Sequence, residues 1–486
     1  MPKRISFVLP VFEPNLVTLE KCVKSIAGQG FKDWESIWVL DGPCPEAEDM
    51  IKKYITDAKV VTIEHSGAPA ARNEGFKHAT GDIVCFFDSD SAIEREASRA
   101  WVDIFDAKPD IGFIYAGYKW FDENQRPYDS EDFDPWLLRV NNYISSCFPV
   151  RREFVPTWNE SLKSLQDWDF WLSVVEKGGK GHRMQGHAFT TATPTPKSIS
   201  GQGCTKEAWL DRLEAVKKLH GIAIRETCVS SLSARHEGIR LAKLIDADYR
   251  DFPLAMPNRY KTVIQIGFSF QPSVCELHSS VFGVYQKVKN ILFWTADDVT
   301  EVYNAVGTKA LREYSALLNR IATQYVEDIE SKRIMGECGF LTEVMPLPLV
   351  NEQGIEPMPE KPRFLLDVED NWSHIFNAIE KSIPEAEFDK GVGAKEIKDY
   401  TGLIHFRAEP ITDAAMKRMM IAGRYIVSNV QVPFAGFIDE KQAADTFIPE
   451  FVNKVRGIIG KPINDDARKY YDNALSASNL LGVLTK

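Results

Sequence analysis

Three features that would mark other classes of protein are missing from this 486-residue sequence. It has no run of about 20 apolar residues, the length of a membrane-spanning helix, so we expect no transmembrane segment. It has no basic excess either, because 58 Lys and Arg against 69 Asp and Glu give a net charge of −11. An acidic chain attracts neither nucleic acid nor anionic lipid in general, which speaks against a nucleic-acid partner without excluding a local basic patch.

Cysteine pairs at metal-binding spacing are missing as well. No two of the eight cysteines stand in a C-x-x-C arrangement, which argues against a zinc ribbon or a dithiol redox motif. Scattered cysteines in a long chain are typical of reduced thiols, so we expect a cytoplasmic protein. The apolar run at residues 5–11 contains Pro10 and is too short for the hydrophobic region of a signal peptide.

What the sequence does contain is the regular alternation of an α/β fold. Apolar residues make up 44% and charged residues 26%, as in ordinary globular proteins. Buried-strand patterns alternate with helical patterns through the first 115 residues, which predicts a doubly wound, mainly parallel sheet. Ligands of such sheets bind beyond the carboxyl ends of the strands. The predicted strands are 5–11, 37–40, 60–63, 83–87 and 111–115, and the predicted helices are 15–27, 47–55, 70–78 and 92–105.

The length predicts about three domains. We expect a first domain at residues 1–205, a helical connector at 206–257, a Rossmann-like lobe at 258–355 and a second such lobe at 356–486. Five prolines between residues 346 and 362 indicate an extended linker near the last boundary.

The sharpest local signal is the triplet Asp88-Ser89-Asp90, which follows the strand predicted at 83–87. Two carboxylates at a strand end can bind a hard divalent cation through oxygen ligands, and the cation can in turn neutralise a diphosphate. Asp-x-Asp also occurs by chance in solvated turns, so the triplet needs support from its surroundings.

Five motifs in order supply that support, and together they resemble the inverting glycosyltransferases of family 2, which have the GT-A fold, a doubly wound mixed sheet. They cover about 200 residues from the first strand to an acidic and aromatic helix. The motifs are Ile5-Ser6-Phe7-Val8-Leu9-Pro10-Val11-Phe12, Val39-Leu40-Asp41-Gly42, Ala71-Arg72-Asn73-Glu74-Gly75, Gly81-Asp82 leading into Asp88-Ser89-Asp90, and Gln166-Asp167-Trp168-Asp169-Phe170-Trp171-Leu172.

The resemblance implies where a nucleotide-sugar donor would bind. Pro10, Phe12 and Asp41 would border its nucleobase and ribose. Arg72 would pack near the same nucleoside, or form a salt bridge at the sheet edge instead. Lys197, in a Pro/Thr/Gly/Ser-rich loop, would offer a cation to the departing diphosphate, or would be an ordinary solvated lysine.

The resemblance also implies the chemical roles. Asp88 would contact the ribose or sugar, Asp90 and Asp88 would hold Mn²⁺ or Mg²⁺, and Asp167 would be the general base. Asp169 competes for that last role, but residues two apart on a helix point about 200° from one another. An ordinary carboxyl pKa near 4 would leave Asp167 ionised at neutral pH. The sequence departs from the family in having Gln166 where Glu is usual.

Several aromatic residues and a histidine of the first domain have both a structural and a functional interpretation. A tryptophan can stack on a sugar ring or fill a core, and a histidine can bind the metal or accept an ordinary hydrogen bond. The residues concerned are Trp120, Trp136, Trp158, Trp168, Trp171 and His187.

The C-terminal 230 residues resemble a GT-B-type glycosyltransferase in their pattern. Glu409 can match the first of two glutamates that the family places in its donor site, but Lys417 stands at the second. The diol-binding carboxylate is thus missing, and we expect an altered, non-catalytic module rather than a second active transferase.

The sequence therefore predicts a metal-dependent inverting glycosyltransferase that moves a sugar from a nucleotide-sugar, of the UDP-linked class, to a hydroxyl of a glycan or other acceptor. Two alternatives stay open: a bifunctional transferase with a second active site, and a non-catalytic protein that binds nucleotide-sugars or glycans. A homo-oligomer is compatible with either.

Overall fold

The computed structural model divides the chain into two compact units, Met1–Ile224 and Arg225–Lys486. The break falls inside the stretch predicted as a connector, while the three predicted domain boundaries stay predictions. The residues that the structure describes are 4–121, 127–130, 132–191, 206–232, 235–251, 259–269, 288–305, 308–327, 329–345, 357–368, 377, 380–390, 399–406, 416, 419–420, 422–429, 435–438 and 444–474.

The first unit is built on a nine-stranded mixed sheet, which agrees with the predicted α/β class. Its strands are β1 (Ile5–Val11), β2 (Trp34–Asp41), β3 (Lys59–Ile63), β4 (Ile83–Phe86), β5 (Ser91–Ile93), β6 (Phe113–Trp120), β7 (Pro127–Tyr128), β8 (Pro149–Arg151) and β9 (Gly181–Thr191). Its helices are α1 (Leu16–Ala27), α2 (Pro45–Tyr54), α3 (Ala68–His78), α4 (Ala97–Ala107), α5 (Pro135–Val140), α6 (Gln166–Glu176) and α7 (Lys206–Leu219).

The strand order is β3-β2-β1-β4-β8-β6-β9-β5, with β7 paired to β6. The first four strands in the chain are parallel, and β8 joins β4 in antiparallel register. Residues Ile5 to Leu9 are fully buried, as expected of a strand covered on both faces. Parallel pairing brings the carboxyl ends of β1, β2 and β4 to one edge of the sheet, where Asp41 ends β2 and where Phe12 and Asp88 follow β1 and β4.

Local sequence explains where several of these elements begin and pack. Asn15 caps α1, because its side chain accepts hydrogen bonds from the backbone of Val17 and Thr18. Gly75 lets α3 lie directly on the sheet, since a Cβ atom there would stand 2.4 Å from Val8 Cγ1 and 3.1 Å from Val39 Cγ2. Any larger residue at position 75 would have to displace either these valine side chains or the helix that carries Arg72.

The structure differs from the predicted elements after residue 90. The helix predicted at 92–105 begins only at Ala97, because Ser91–Ile93 forms β5 and pairs with β9. The strands β8 and β9 lie in the segment where the sequence pattern is irregular. Both pair with strands far away in the chain, and such long-range pairing leaves little local signal.

The second unit contains two parallel sheets, and the first of them has the order β11-β10-β12-β13-β14-β15. Its elements are β10 (Thr227–Ser231), α8 (Arg235–Leu244), β11 (Asp248–Asp251), β12 (Thr262–Ile266), β13 (Lys289–Phe293), α9 (Ala296–Asn304), α10 (Lys309–Ile321), β14 (Ala322–Val326), α11 (Ile329–Glu337) and β15 (Thr342–Val344). The stretch predicted as a helical connector thus contributes two strands, β10 and β11.

The second parallel sheet has the order β17-β16-β18-β19-β20. Its elements are β16 (Arg363–Val368), β17 (Glu387–Lys390), β18 (Gly402–Phe406), β19 (Tyr425–Ser428), β20 (Gly436–Phe437), α12 (Ala444–Arg456) and α13 (Asp465–Ala474). Parallel sheets of this kind occur in many α/β proteins, so the likeness of this unit to a GT-B enzyme stays a prediction.

Two expectations from the sequence, the lack of a transmembrane segment and the presence of reduced cysteines, can be compared with the structure only in the described residues. Within them, no helix is both long enough and apolar enough to cross a lipid bilayer. The six cysteines that fall in the described part of the chain carry free thiols, and four of them (Cys22, Cys85, Cys147 and Cys228) are buried.

Candidate active site

An ion pair between Arg72 and Asp88 forms the centre of the candidate site. Arg72 lies on α3 and is 7% exposed, and its Nη2 donates to Asp88 Oδ1 at 2.8 Å. The second oxygen of Asp88 accepts from the Ser146 hydroxyl at 3.2 Å. The Arg72 guanidinium also stacks 4.4 Å from the ring centroid of Trp158. Burial between an aromatic ring and a carboxylate holds this arginine in one orientation.

The sequence leaves two partners open for Arg72, a bound nucleoside or a carboxylate at the sheet edge. The structure pairs it with Asp88 and also brings its Nη1 within 3.5 Å of Gln166 Oε1. Gln166 stands where the family has Glu, so a neutral amide here takes the place of a second carboxylate beside the arginine. Arg72 thus links the acidic triplet after β4 to the first turn of α6.

Asp90 has a different environment from Asp88. Its side chain is exposed, and its nearest described polar contact is the Ser91 hydroxyl at 3.5 Å. The pKa of Asp90 is raised to about 6, mainly by partial loss of solvation and secondly by repulsion from Asp88. Water reaches this carboxylate, and few hydrogen bonds stabilise its negative charge. It is therefore a suitable ligand for a cation.

The two carboxylates differ in how well they fit Mn²⁺ or Mg²⁺. Asp90 fits because its carboxylate is exposed, whereas both oxygens of Asp88 already accept hydrogen bonds. In the described part of the chain no group of three His, Cys, Asp or Glu could hold a metal ion. A cation bound at Asp90 would therefore complete its shell with donor phosphate and water.

Asp167 lies at the second position of α6 and is half-buried. Its Oδ2 accepts from Asn142 Nδ2 at 2.9 Å, and its Oδ1 accepts from the backbone N–H of Trp168 at 2.9 Å. Loss of solvation raises the pKa of Asp167, and the Trp168 hydrogen bond and Arg72 oppose that shift. The pKa of Asp167 thus lies above the ordinary carboxyl value expected from the sequence, because the sequence does not reveal how closely this carboxylate is enclosed.

Asp169, the competitor of Asp167, faces elsewhere. It is buried, and its Oδ1 lies 3.0 Å from Nε2 of His220. The two carboxylates thus leave α6 on different sides, as the 200° separation predicts. Of the two, Asp167 is the one that contacts Asn142, and it directly follows Gln166, which Arg72 reaches.

The predicted nucleoside contacts gather at the ends of β1 and β2. Phe12 is 50% exposed and stacks on His65, with ring centroids 4.0 Å apart. Asp41 is only 1% exposed, and its carboxylate accepts from His65 Nδ1 and from the backbone N–H groups of Ser66 and Gly67. Asp41 therefore organises the turn at 65–67, and His65 is the side chain that it presents beside Phe12. Pro10, within β1, is half-buried.

The other candidates from the sequence either make contacts within the first unit or lie outside the described residues. Trp158 stacks on Phe170 at 4.2 Å, while the buried indoles of Trp168 and Trp171 donate to backbone carbonyls. His187 is paired with Asp129 at 3.1 Å, and Trp120 and Trp136 are half-buried. Lys197, Glu409 and Lys417 lie outside the described residues.

Sequence reasoning missed three side chains of the site. Asn142 and Ser146 come from the loop between α5 and β8, and each donates to one of the key carboxylates. The third, His65, follows β3. Asn, Ser and His are common in loops, and these three stand in no motif. Only their tertiary contacts reveal them.

Comparisons with known proteins support the class of enzyme predicted from the motifs. Residues 6–164 match the model of the family described as glycosyl transferase family 2, about a third of the chain. The matched range contains both Arg72 and the acidic triplet and ends just before α6. This match supports a glycosyltransferase enzyme, as the five motifs predicted.

Curated relatives point the same way. The chain is 29% identical to the O-antigen biosynthesis protein RfbC of Myxococcus xanthus over 183 residues, which are 35% of this chain and 14% of that protein. It is 23% identical to an uncharacterized glycosyltransferase of Methanocaldococcus jannaschii over 186 residues, 35% of this chain and 64% of that one. An N-acetylglucosaminyltransferase of Azorhizobium caulinodans is 28% identical over 99 residues, 19% of this chain and 25% of that one. The chain thus spans less than two thirds of each of these proteins.

Among solved structures, S. aureus TarS in complex with UDP superposes with a TM-score of 0.37 at 18% identity. The superposition covers 45% of this chain and 65% of that chain.

Proposed function

We propose that this chain is an inverting glycosyltransferase that moves a sugar from a nucleotide-sugar donor of the UDP-linked class to a hydroxyl of a glycan or other acceptor. The observation that carries the proposal is the Arg72–Asp88 ion pair at the carboxyl edge of the parallel strands, which reaches the first turn of α6 through Gln166, where Asn142 orients Asp167. A protein that only bound such a donor would need no carboxylate oriented in this way, so the cluster favours transfer over binding alone.

In this proposal Asp167 is the general base. It removes the proton of the acceptor hydroxyl while that oxygen attacks the anomeric carbon from the face opposite the leaving diphosphate. The Asn142 amide holds one carboxylate oxygen, and the Trp168 backbone N–H holds the other, so the carboxylate keeps one orientation. Its raised pKa makes it a stronger base than a solvated carboxylate.

The donor would lie along the edge formed by the ends of β1, β2 and β4. Phe12 and His65 form an exposed aromatic pair on which a nucleobase can stack, with His65 held by Asp41. Asp88, fixed by Arg72 and Ser146, would accept hydrogen bonds from ribose or sugar hydroxyls. Lys197 stays a proposed cation for the leaving group.

Asp90, with Asp88 beside it, would hold the divalent cation, Mn²⁺ or Mg²⁺. When bound, such an ion neutralises charge that develops on the departing diphosphate. Asp90 provides the exposed carboxylate for it, and the ion pair with Arg72 fixes the orientation of Asp88.

For the second unit we propose an altered, GT-B-like module without its own transfer activity. The support is the Lys417 that replaces the expected donor-site glutamate. A bifunctional enzyme would instead lose two separate activities when Asp90 and Glu409 are replaced one at a time.

The decisive experiment is a donor screen that follows nucleotide release by the full chain. UDP-linked hexoses and N-acetylhexosamines are offered with a mixed glycan acceptor, in Mn²⁺, in Mg²⁺ and in excess chelator. N-acetylglucosaminyl donors belong in the screen because one relative is an N-acetylglucosaminyltransferase. We expect release in the presence of metal, and chelator should abolish it.

Asp167→Asn tests the base itself. The variant keeps the shape of the side chain but cannot accept a proton, so turnover should fall by about 10²–10⁴-fold while donor affinity stays within about twofold. Binding is measured by calorimetry with the donor that the screen identifies. Full turnover by Asp167→Asn would refute the assignment, and Asp103→Asn, at an exposed aspartate of α4, is the matched control.

A further inference from the structure

His220 makes three contacts that the proposed chemistry does not use. It directly follows α7, and its side chain is 5% exposed. Its Nε2 lies 3.0 Å from Asp169 Oδ1, and its Nδ1 lies 2.9 Å from Glu176 Oε1. Both acids belong to α6, the helix that carries Asp167 in its first turn. The His220 carbonyl accepts from Arg139 of α5 at 3.3 Å.

The two carboxylates determine the charge of the His220 ring. A neutral imidazole has one N–H to donate, whereas two ionised carboxylates can only accept, so both contacts are satisfied by the imidazolium form. Burial by itself lowers the pKa of His220, but the hydrogen bonds to Asp169 and Glu176 outweigh it, and the net shift is upward. Among the described residues, two further charged groups face this region: Arg139, which donates to the His220 carbonyl, and Glu160, which lines a cavity of about 640 Å³ together with His220.

The first turn of α6 depends on an outside restraint. Leu165, directly before the helix, adopts φ 57° and ψ 28°, a left-handed conformation that costs about 1 kcal/mol or more for a residue with a branched side chain. The carbonyl of Leu165 accepts the backbone N–H of Asp169 at 3.1 Å. The side chain of Asp169 is in turn held by His220. Asp169 therefore contacts both the strained Leu165 and the His220 bridge.

We propose that His220 is a positioning residue for sugar transfer: by bridging Asp169 and Glu176 it sets the rotation of α6 that points Asp167 toward Asn142 and the donor cleft. The inference rests on the proposed function. Asp167 and Asp169 share one helical turn, so a rotation that releases Asp169 from His220 also displaces the base. Displacement of a reacting group by about 1 Å can cost up to about 10²-fold in rate.

Two substitutions separate the halves of the bridge. The side-chain amide of a glutamine at position 220 extends about as far as Nε2 of the histidine, so it can still donate to Asp169. The amide of an asparagine extends only as far as Nδ1 of the histidine, so the contact with Asp169 is lost. We expect His220→Asn to lower kcat about tenfold with donor KM within about twofold, and His220→Gln to stay within about threefold of the unmodified enzyme. His78→Gln is the matched control, because His78 pairs with a single carboxylate, Glu74, on its own helix.

Thermal melting between pH 6 and pH 9 supplies a readout that does not depend on turnover. A pKa raised above the unfolded value of about 6.5 stabilises the fold fully below that pH, and the contribution is lost as pH rises through the folded pKa. The melting advantage of the unmodified protein over His220→Gln should therefore shrink as pH rises. An advantage that stays constant across this range would overturn the charged bridge.

The kinetic outcomes distinguish this inference from the proposed function. If the unmodified enzyme transfers sugar and His220→Asn matches its kcat, the positioning role is wrong and the bridge only stabilises the fold. A fall in kcat and in folded fraction by the same factor would likewise leave His220 a purely structural role. If the unmodified protein releases nucleotide from no donor, the proposed function fails and the positioning role with it, whatever the melting curves show.

Discussion

At the scale of single residues, the candidate site depends on neutral side chains that orient charged ones. Asn142 donates to Asp167, and Ser146 donates to Asp88, from the same loop between α5 and β8. Such hydrogen bonds favour the ionised carboxylate and select one rotamer of it. The acids of the site were recognisable from motifs, whereas the residues that hold them became visible only through their contacts.

Asn142→Ala should change the pH dependence of transfer. Removing a hydrogen bond to the ionised form raises the pKa of Asp167 further above the ordinary carboxyl value of about 4. Because the base must be ionised, kcat should rise with pH along an acid limb, and in this variant the limb should move to higher pH. A pH profile of kcat at saturating donor measures the shift.

Ser146→Ala is the comparison for that profile. Its hydroxyl reaches Asp88 rather than Asp167, so donor KM should rise while the acid limb keeps its position. Equal displacement of the limb in both variants would show that the loop acts on the site as a whole, against a specific role for Asn142.

At the scale of elements, the contact between α3 and the sheet determines where Arg72 lies. Gly75→Ala should destabilise the protein by about 1–3 kcal/mol, since the new methyl group meets Val8 Cγ1 at 2.4 Å within a buried interface. Gly336→Ala is the matched control, a helical glycine with open space around it, and it should be neutral or stabilising by up to about 1 kcal/mol. Urea unfolding of both variants checks the difference, and equal stabilities would contradict the close approach.

At the scale of the whole molecule, the first compact unit has its own sheet, its own core and the whole candidate site. Residues 1–224 should therefore fold alone, with one cooperative thermal transition and a midpoint within about 4 °C of the corresponding transition in the full chain, equivalent to about 1 kcal/mol at this size. Circular dichroism measures the transition, and calorimetry measures donor binding by the fragment. Loss of near-ultraviolet signal in the fragment would show that the second unit is needed for the first to pack.

The sequence by itself determined the α/β class, the strands from β1 to β4 and the acidic positions Asp88, Asp90 and Asp167, because periodic burial and short motifs are local properties of the chain. The tertiary structure alone decided that Asp41 lies buried beneath His65, that β9 pairs with β6, and that Asp169 turns to His220. Those contacts join residues 24 or more positions apart, and their partners are polar side chains or ordinary strands with no motif of their own. Short motifs are enough to identify the acidic residues, whereas long-range packing determines which way each of them faces.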